Sequence, residues 1–201
     1  MTAIEWYRNT KWNSEIEKVF FEKLNRARSQ RDQYLVIQAS SLVKNQPEVA
    51  LQLVDYYFES RNDKFDDMRA LLTRAEALLE LEKIGEAMAA FQAVLSREEE
   101  FSNHISDTYV RYPYIVATRE IKSEYENALN VLKKYKDRLA FPLDYFMWYS
   151  SRALIENDEE SAKNALEVAE VKKSGFRFHQ NVGLVGKEHA KTIKKLHKIS
   201  T

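Results

Sequence analysis

The stretch GEAMAAFQ, residues 85–92, decides the fold, because it joins a small residue to a large apolar residue at helical spacing. Ala87 is followed four positions later by Phe91 and seven positions later by Val94. Steps of four and three place these three side chains on one face of an α-helix. The small residue allows a partner helix to approach closely, while the large residue fills the space between neighbouring helices.

The same pattern recurs at three other places in the chain. Its segments are PEVALQLV (47–54), YENALNVL (125–132) and EESAKNAL (159–166). The four small residues, which are spaced by 37, 41 and 34 positions, are Ala50, Ala87, Ala128 and Ala162. Self-similarity at such a period indicates a stack of helix pairs, because one pair alone does not bury its apolar face.

Helical spacing of apolar residues extends along almost the whole chain and is interrupted by short polar breaks. The breaks predicted between helices are 45–47, 60–64, 83–85, 97–107 and 157–158. Ser14 with Glu17, and Ser123 with Glu126, have the spacing of a capping box, which predicts helix starts at the two serines. Because the chain has only four glycines and three prolines, an all-β fold is disfavoured.

The period and the small–large pattern resemble the tetratricopeptide repeat, whose helix pairs recur about every 34 residues. The match is best over 67–97 and extends over 31–173 in degenerate form. Gln38, Val116 and Ser150 stand where the family usually has glycine or alanine. The resemblance implies an all-α, right-handed superhelical solenoid of antiparallel helix pairs. An ordinary helical bundle with coincident alanines is the alternative.

This organisation predicts a single domain with three segments. Residues 1–30 form an N-terminal segment and a capping helix, and residues 31–173 form about four degenerate helix pairs. Residues 174–201 form a glycine-containing loop and a basic C-terminal helix. Three aromatic residues ahead of the first helix are expected to cover the open end of the array, because a solenoid end is otherwise bare apolar surface. They are Trp6, Tyr7 and Trp12.

The first helices of tetratricopeptide pairs line a concave surface that binds a peptide or a protein, and the resemblance implies such a surface here. Aligned on the small residues, the matching positions are Asp32, Leu35, Val36 and Ala39; Arg69, Leu72, Thr73 and Glu76; Val110, Pro113, Tyr114 and Ala117; and Asp144, Met147, Trp148 and Ser151. The residues expected to contact a partner are Arg69, Thr73, Glu76, Tyr114, Met147, Trp148 and Ser151. The family's carboxylate-binding sites use Lys, Asn and Arg, and only Arg69 has that chemistry. An adaptor for chaperone tails is therefore not expected.

An aromatic cluster stands at the starts of the first helices of the last two pairs. Its members are Tyr109, Tyr112, Tyr114, Tyr145, Phe146, Trp148 and Tyr149. At 100° per residue the run from Tyr145 to Trp148 cannot face inward as a whole, so at least one side chain points elsewhere. Trp148 and Tyr114 are expected to be exposed contacts, because interfaces favour amphipathic aromatic residues. Core packing between pairs is the alternative.

The residues that carry common catalytic chemistry are absent or poorly placed. The chain has no cysteine, which excludes disulfides, thiol nucleophiles and thiolate metal sites. His189 and His197 lie about 12 Å apart on one helix, too far to share a metal. Glu100 and His104 have a spacing that permits joint ligation, but two ligands on a polar connector more often belong to solvated surface. The chain is therefore predicted not to be an enzyme and to need no metal or cofactor.

The charge is balanced overall but divided along the chain. The 31 basic and 31 acidic residues separate into net −7 over residues 1–171 and net +7 over residues 172–201. The predicted last helix has Ala190, Ile193 and Leu196 on one face and lysines on the other. The lysines that could contact an anionic partner are Lys191, Lys194, Lys195 and Lys198. The alternative is a capping helix docked on the acidic body.

These features predict a non-catalytic protein–protein interaction module whose partner is a peptide or a protein. A regulatory protein that masks a partner enzyme, as small bacterial helical-repeat proteins sometimes do, is an alternative by analogy. Anionic-partner or nucleic-acid binding by the C-terminal helix is another, although zero net charge does not favour nucleic acid. The sequence has no apolar run of signal-peptide or membrane-spanning length, so a cytoplasmic location without a membrane partner is expected.

Overall fold

The computed structural model describes residues 5–101 and 105–201, and all regular secondary structure in these two ranges is helical. The α-helices are α1 (Ser14–Leu24), α2 (Arg31–Leu42), α3 (Pro47–Ser60), α4 (Asp67–Glu80), α5 (Ile84–Glu100), α6 (Thr108–Thr118), α7 (Tyr125–Lys134), α8 (Pro142–Glu156), α9 (Glu159–Ala169) and α10 (Ala190–Ile199). Single 3₁₀ turns occur at Lys122–Glu124, Lys136–Arg138 and Lys187–His189. The all-α prediction is confirmed.

Both predicted capping boxes are wrong, although the helices themselves are present. The side chain of Asn13, one residue before Ser14, accepts a hydrogen bond from the Ile16 amide at 2.9 Å and caps α1. Ser123 lies inside a 3₁₀ turn, and α7 begins at Tyr125. An asparagine satisfies the free amides of a first turn as well as a serine does, so the capping residue can shift by one position.

Helix α5 continues to Glu100, although a polar connector was predicted from residue 97. Arg97 and Glu98 are buried, and the Arg97 guanidinium lies 3.8 Å from the centre of the Phe101 ring. Arg97 also pairs with Asp67 at 3.4 Å and with Glu100 at 2.5 Å. A charged residue that is buried by ion pairing has the sequence signature of solvated surface, which explains the error.

The turns inside three helix pairs share one backbone feature. Glu82, Glu120 and Asn157 have φ values of 55°, 58° and 54°, in the left-handed region, and they are spaced by 38 and 37 positions. After Glu82 the Lys83 amide donates to the Leu78 carbonyl at 2.9 Å. The amide of residue 121 donates in the same way to the carbonyl of residue 116 at 3.0 Å. Both bonds follow the Schellman pattern that ends helices.

The chain forms two compact units, of which unit 1 spans Met1–Ile105. Within it α2 packs on α3, α3 on α4, and α4 on α5, while the first helices α2 and α4 also contact each other. The small repeat residues Ala50 and Ala87 are fully buried. The N-terminal aromatic residues pack on the core, with the Trp6 ring 5.5 Å from Phe20 and 5.1 Å from Tyr34.

Unit 2 spans Ser106–Thr201 and is centred on α8. This helix contacts α6, α7, α9 and α10, and its fully buried Phe146 lies in a core cluster with Leu196 of α10. The small repeat residues Ala128 and Ala162 are again fully buried. On α10, Leu196 is fully buried and Ile193 packs on the core, so two of the three predicted apolar residues face inward, whereas Ala190 is exposed and Thr192 is buried.

Among the described residues, the helices are all too short or too polar for any of them to cross a bilayer.

Candidate functional site

A polar cavity of about 390 Å³ opens on the first helices of unit 1. We name it the α2–α4 groove, and its lining residues are Arg8, Gln33, Ile37, Ser40, Ser41 and Arg69. Gln33, Ile37 and Ser40 to Ser41 stand at steps of four and three on α2, so they form one stripe along that helix. The groove therefore lies on the first helices of two pairs, and Arg69 is the one lining residue that also stands at a position matched by the resemblance.

Two arginines flank the α2–α4 groove and carry its positive charge. Arg8 pairs with Glu5, and Arg69 pairs with Asp66 at 3.3 Å. Their side chains are 54% and 47% exposed, so each guanidinium keeps donors directed to solvent. Hydrogen bonds from Tyr7 and Arg8 hold the pKa of the Glu5 carboxyl below its ordinary value. A carboxylate of a partner is the group that two such arginines recognise.

A second cavity of about 450 Å³ adjoins the groove at Gln33, which lines both. Its lining is acidic and includes Asp32, Asp63 and Asp66, together with Phe65, which is 64% exposed. The Asp32 carboxylate is already used, because it accepts from the Asn62 amide at 2.6 Å and from Arg31 at 2.9 Å. The groove is thus flanked by two ion-paired arginines, and the adjoining cavity has three aspartates and Arg28 in its lining.

The sequence-predicted residues of unit 1 divide between the groove and the interior. Arg69 lines the groove, and Glu76 is partly buried. Thr73 is buried, and its hydroxyl donates to the Arg69 carbonyl at 2.8 Å. Asp32 is 7% exposed, and its neighbours at matching positions on α2 are fully buried; they are Leu35, Val36 and Ala39.

The face of α2 was therefore predicted about one residue out of register. Gln33, Ile37 and Ser40 each stand one position after a residue predicted to face the groove, and one position is 100° of helix rotation. Helix α2 packs on α1, α3 and α4, so most of its circumference is interior. The adjacent serines 40 and 41, which follow mostly apolar positions from residue 34 onward, were a signal for the open face that the alignment did not use.

Trp148 and Ser151 of unit 2 are buried, which makes the prediction that Trp148 is exposed wrong. The indole Nε1 of Trp148 donates to the Leu132 carbonyl at 3.0 Å, and the side chain is 7% exposed. Because other helices pack on several sides of α8, most side chains of the run from residue 145 to 148 are buried or partly buried. Tyr145, at 40% exposure, is the member that points outward.

Tyr114 packs against the C-terminal helix and does not lie on an open surface. Its hydroxyl lies 2.8 Å from Nδ1 of His189 and 2.7 Å from the Thr192 hydroxyl. The ring of Phe146 lies 5.2 Å from the His189 ring and completes the cluster. Burial raises the pKa of Tyr114 and lowers the pKa of His189. Met147, next to Phe146, is partly buried against the same core.

The lowered pKa of His189 leads us to expect that unit 2 loses free energy of unfolding in mild acid. Since its pKa in the folded chain lies below the ordinary 6.5, the unfolded chain binds the proton first as the pH falls. The free energy of unfolding of unit 2 is expected to be highest above pH 6.5 and to decrease below it, until the folded pKa is reached. Urea unfolding of the wild type and His189→Gln over this range measures the effect.

The control for this experiment is the exposed His197, changed to glutamine. We expect His197→Gln to keep the acid slope and His189→Gln to reduce it. The Glu188 carboxylate, 3.6 Å from Nε2, partly opposes the burial effect by raising the pKa of His189. An identical pH dependence in the two variants would contradict the assignment.

The lysine face of α10 is exposed. Lys195 pairs with Glu120 at 2.7 Å. Lys191, Lys194 and Lys198 are exposed, and no ion pair joins them to another described residue. Residues 5–101 and 105–201 contain no group of three or more His, Asp or Glu that could hold a metal. His104, the second member of the predicted Glu100–His104 pair, lies outside the residues that the structure describes.

No family model, no curated protein and no solved structure matches this chain.

Proposed function

We propose that this chain is a protein-interaction module in which degenerate tetratricopeptide-like pairs stack as a right-handed solenoid. Three observations support it. The first helices of consecutive pairs contact each other in both units, α2 with α4 and α6 with α8. A left-handed residue recurs in the turns of three pairs at nearly constant spacing. The small repeat residues are all fully buried, as close approach of the partner helices requires.

The α2–α4 groove is the surface that we assign to the partner. Its single most informative feature is that two half-exposed arginines flank a stripe of hydroxyl and amide groups. Gln33, Ser40 and Ser41 offer donors and acceptors to an extended peptide backbone, and Ile37 offers an apolar contact. Arg8 and Arg69 would then bind an acidic side chain of that peptide. An inhibitor of a partner enzyme would use the same surface.

Arg69→Glu is expected to weaken binding of such a peptide tenfold or more, because it replaces an attractive charge by a repulsive one. Peptides selected from an unbiased display library on the full chain are the probes, and fluorescence anisotropy measures the dissociation constant. Lys83→Glu is the matched control. It makes the same charge change at a residue that is exposed at 50% and does not line the groove.

The selected peptides distinguish this function from others. Enrichment of sequences with Asp or Glu, together with loss of binding in Arg69→Glu but not in Lys83→Glu, supports the proposal. Peptides without an acidic residue, or equal binding by the two variants, would refute the assignment of the groove.

A second candidate function, binding of an anionic partner by α10, is favoured by one observation. Three of the four predicted contact residues, Lys191, Lys194 and Lys198, are exposed and have no carboxylate partner among the described residues. They belong to a segment of net charge +7. Attraction by such a segment acts over about 10 Å at moderate salt and is screened as salt rises.

A further inference from the structure

The segment before α10 exposes an unusual amount of apolar surface. We name residues 171–182, sequence VKKSGFRFHQNV, the aromatic loop. Phe178 is 83% exposed, the highest value among the large apolar residues that the structure describes. Val171, Phe176 and Val182 are exposed at 37%, 42% and 50%. Four exposed large apolar side chains within twelve residues are the kind of feature that marks an interaction surface.

The aromatic loop is held in one shape by its own hydrogen bonds. The Ser174 amide donates to the Gln180 carbonyl at 2.8 Å, and its hydroxyl donates to the His179 carbonyl at 2.9 Å. The Phe176 ring stacks on Phe141 at 4.7 Å, which fixes the loop to the residue before α8. The exposure of Phe178 is therefore a property of an ordered loop and not of a frayed end.

Basic residues alternate with the apolar ones. Lys172, Lys173 and Arg177 lie within the aromatic loop, and the chain continues from it to the lysine face of α10. Glu188 is the single acidic residue between positions 172 and 201. An occupant of this surface must consequently be negatively charged and must also accept apolar side chains.

We propose that the aromatic loop docks unit 2 on an anionic lipid bilayer, with Phe178 inserted below the headgroups and the basic residues bound to them. The proposal rests on the second candidate function and names its partner. Interfacial binding combines apolar burial with attraction to anionic lipid in this way. The apolar face of α10 is already buried through Leu196, so the helix contributes charge and does not insert.

Single-stranded nucleic acid fits this surface less well. Bases stack on free aromatic faces, and valine offers none, whereas hydrocarbon accepts valine and phenylalanine alike. The Phe176 ring is stacked on Phe141, and the Arg177 guanidinium lies over the Phe178 ring at 5.3 Å. Few faces are therefore left for bases, while every exposed apolar atom of the loop remains available to lipid.

Vesicle sedimentation of the full chain tests the proposal. The probes are vesicles of phosphatidylcholine, with and without about 30% phosphatidylserine. We expect partition onto the anionic vesicles, a decrease with added salt, and a tenfold or greater loss in Phe178→Ser, since a buried phenylalanine contributes that much. Val19→Ser removes an apolar side chain that is 44% exposed on α1 of unit 1 and is expected to bind as the wild type does.

The outcomes separate the aromatic loop from the lysine face. Equal binding by Phe178→Ser and the wild type would overturn the loop proposal and leave the charge of α10 as the anchor. No binding to anionic vesicles would overturn the proposal as well. Phe178-dependent binding of a single-stranded oligonucleotide, with none to vesicles, would assign the surface to nucleic acid instead. Circular dichroism of both variants shows whether the fold is kept, and Phe178→Leu is expected to retain most of the binding.

Discussion

Asp67→Ala is expected to lower the free energy of unfolding of unit 1 by about 3–5 kcal/mol, because it removes a buried carboxylate that two arginines and a buried tyrosine hydroxyl share. The Asp67 carboxylate, 6% exposed, accepts from the Tyr57 hydroxyl and from Arg61, both at 3.0 Å. It also pairs with Arg97, 9% exposed, at 3.4 Å. The alanine variant would bury the Arg97 guanidinium and the Tyr57 hydroxyl with fewer acceptors.

Urea unfolding followed by circular dichroism measures this loss, and hydrogen exchange by mass spectrometry assigns it to unit 1. Asp55→Ala is the control. It removes an ion pair with Arg74 at a carboxylate that is 61% exposed, so less than about 1 kcal/mol is expected. Equal effects of the two alanine variants would contradict the conclusion that Asp67 organises a buried network.

Phe146→Ala is expected to destabilise unit 2 by about 3–5 kcal/mol, the usual cost of removing a fully buried phenylalanine ring. The ring lies 6.2 Å from Tyr114 and 5.2 Å from His189, between α6 and the turn that precedes α10. The cavity left behind would therefore loosen the packing of α10 on α8. Faster hydrogen exchange across residues 187–199 is the expected accompanying result.

Tyr145→Ala, at the preceding position of α8, is the control for this variant. Tyr145 is 40% exposed, so the alanine variant loses little buried apolar surface. Alanine is also the better helix former. We expect a change within about 1 kcal/mol, by urea unfolding under the same conditions. A Tyr145→Ala loss as large as the Phe146→Ala loss would mean that the faces of α8 are wrongly assigned.

The helices could be predicted from the sequence because the apolar period is strong and the breaks are marked. Helix α3 begins at Pro47, where a proline suits the first turn, and α4 and α5 are separated near Lys83 as predicted. The end of α5 could not be predicted in this way, because the buried Arg97 pairs with Asp67, thirty positions earlier on another helix. Ion pairs across helices leave no periodic signal.

The candidate site was predictable only in part. The choice of first helices and of Arg69 followed from the repeat pattern. The stripe through Gln33 and Ile37 could not be predicted from the repeat pattern. Which face of α2 stays open depends on the helices that pack around it. Arg8 reaches the groove from the N-terminal segment, which lies outside the repeats and has no position in their pattern. The aromatic loop likewise falls after the last pair.

Glu120 combines an unfavourable backbone conformation with an ion pair to the C-terminal helix. Its φ of 58° is a conformation that glycine adopts far more readily than glutamate. The glutamate carboxylate, however, reaches Lys195 at 2.7 Å, and no glycine could make that link. The ion pair links the helix that carries the lysine face to the α6–α7 turn, through an acid in a left-handed backbone conformation.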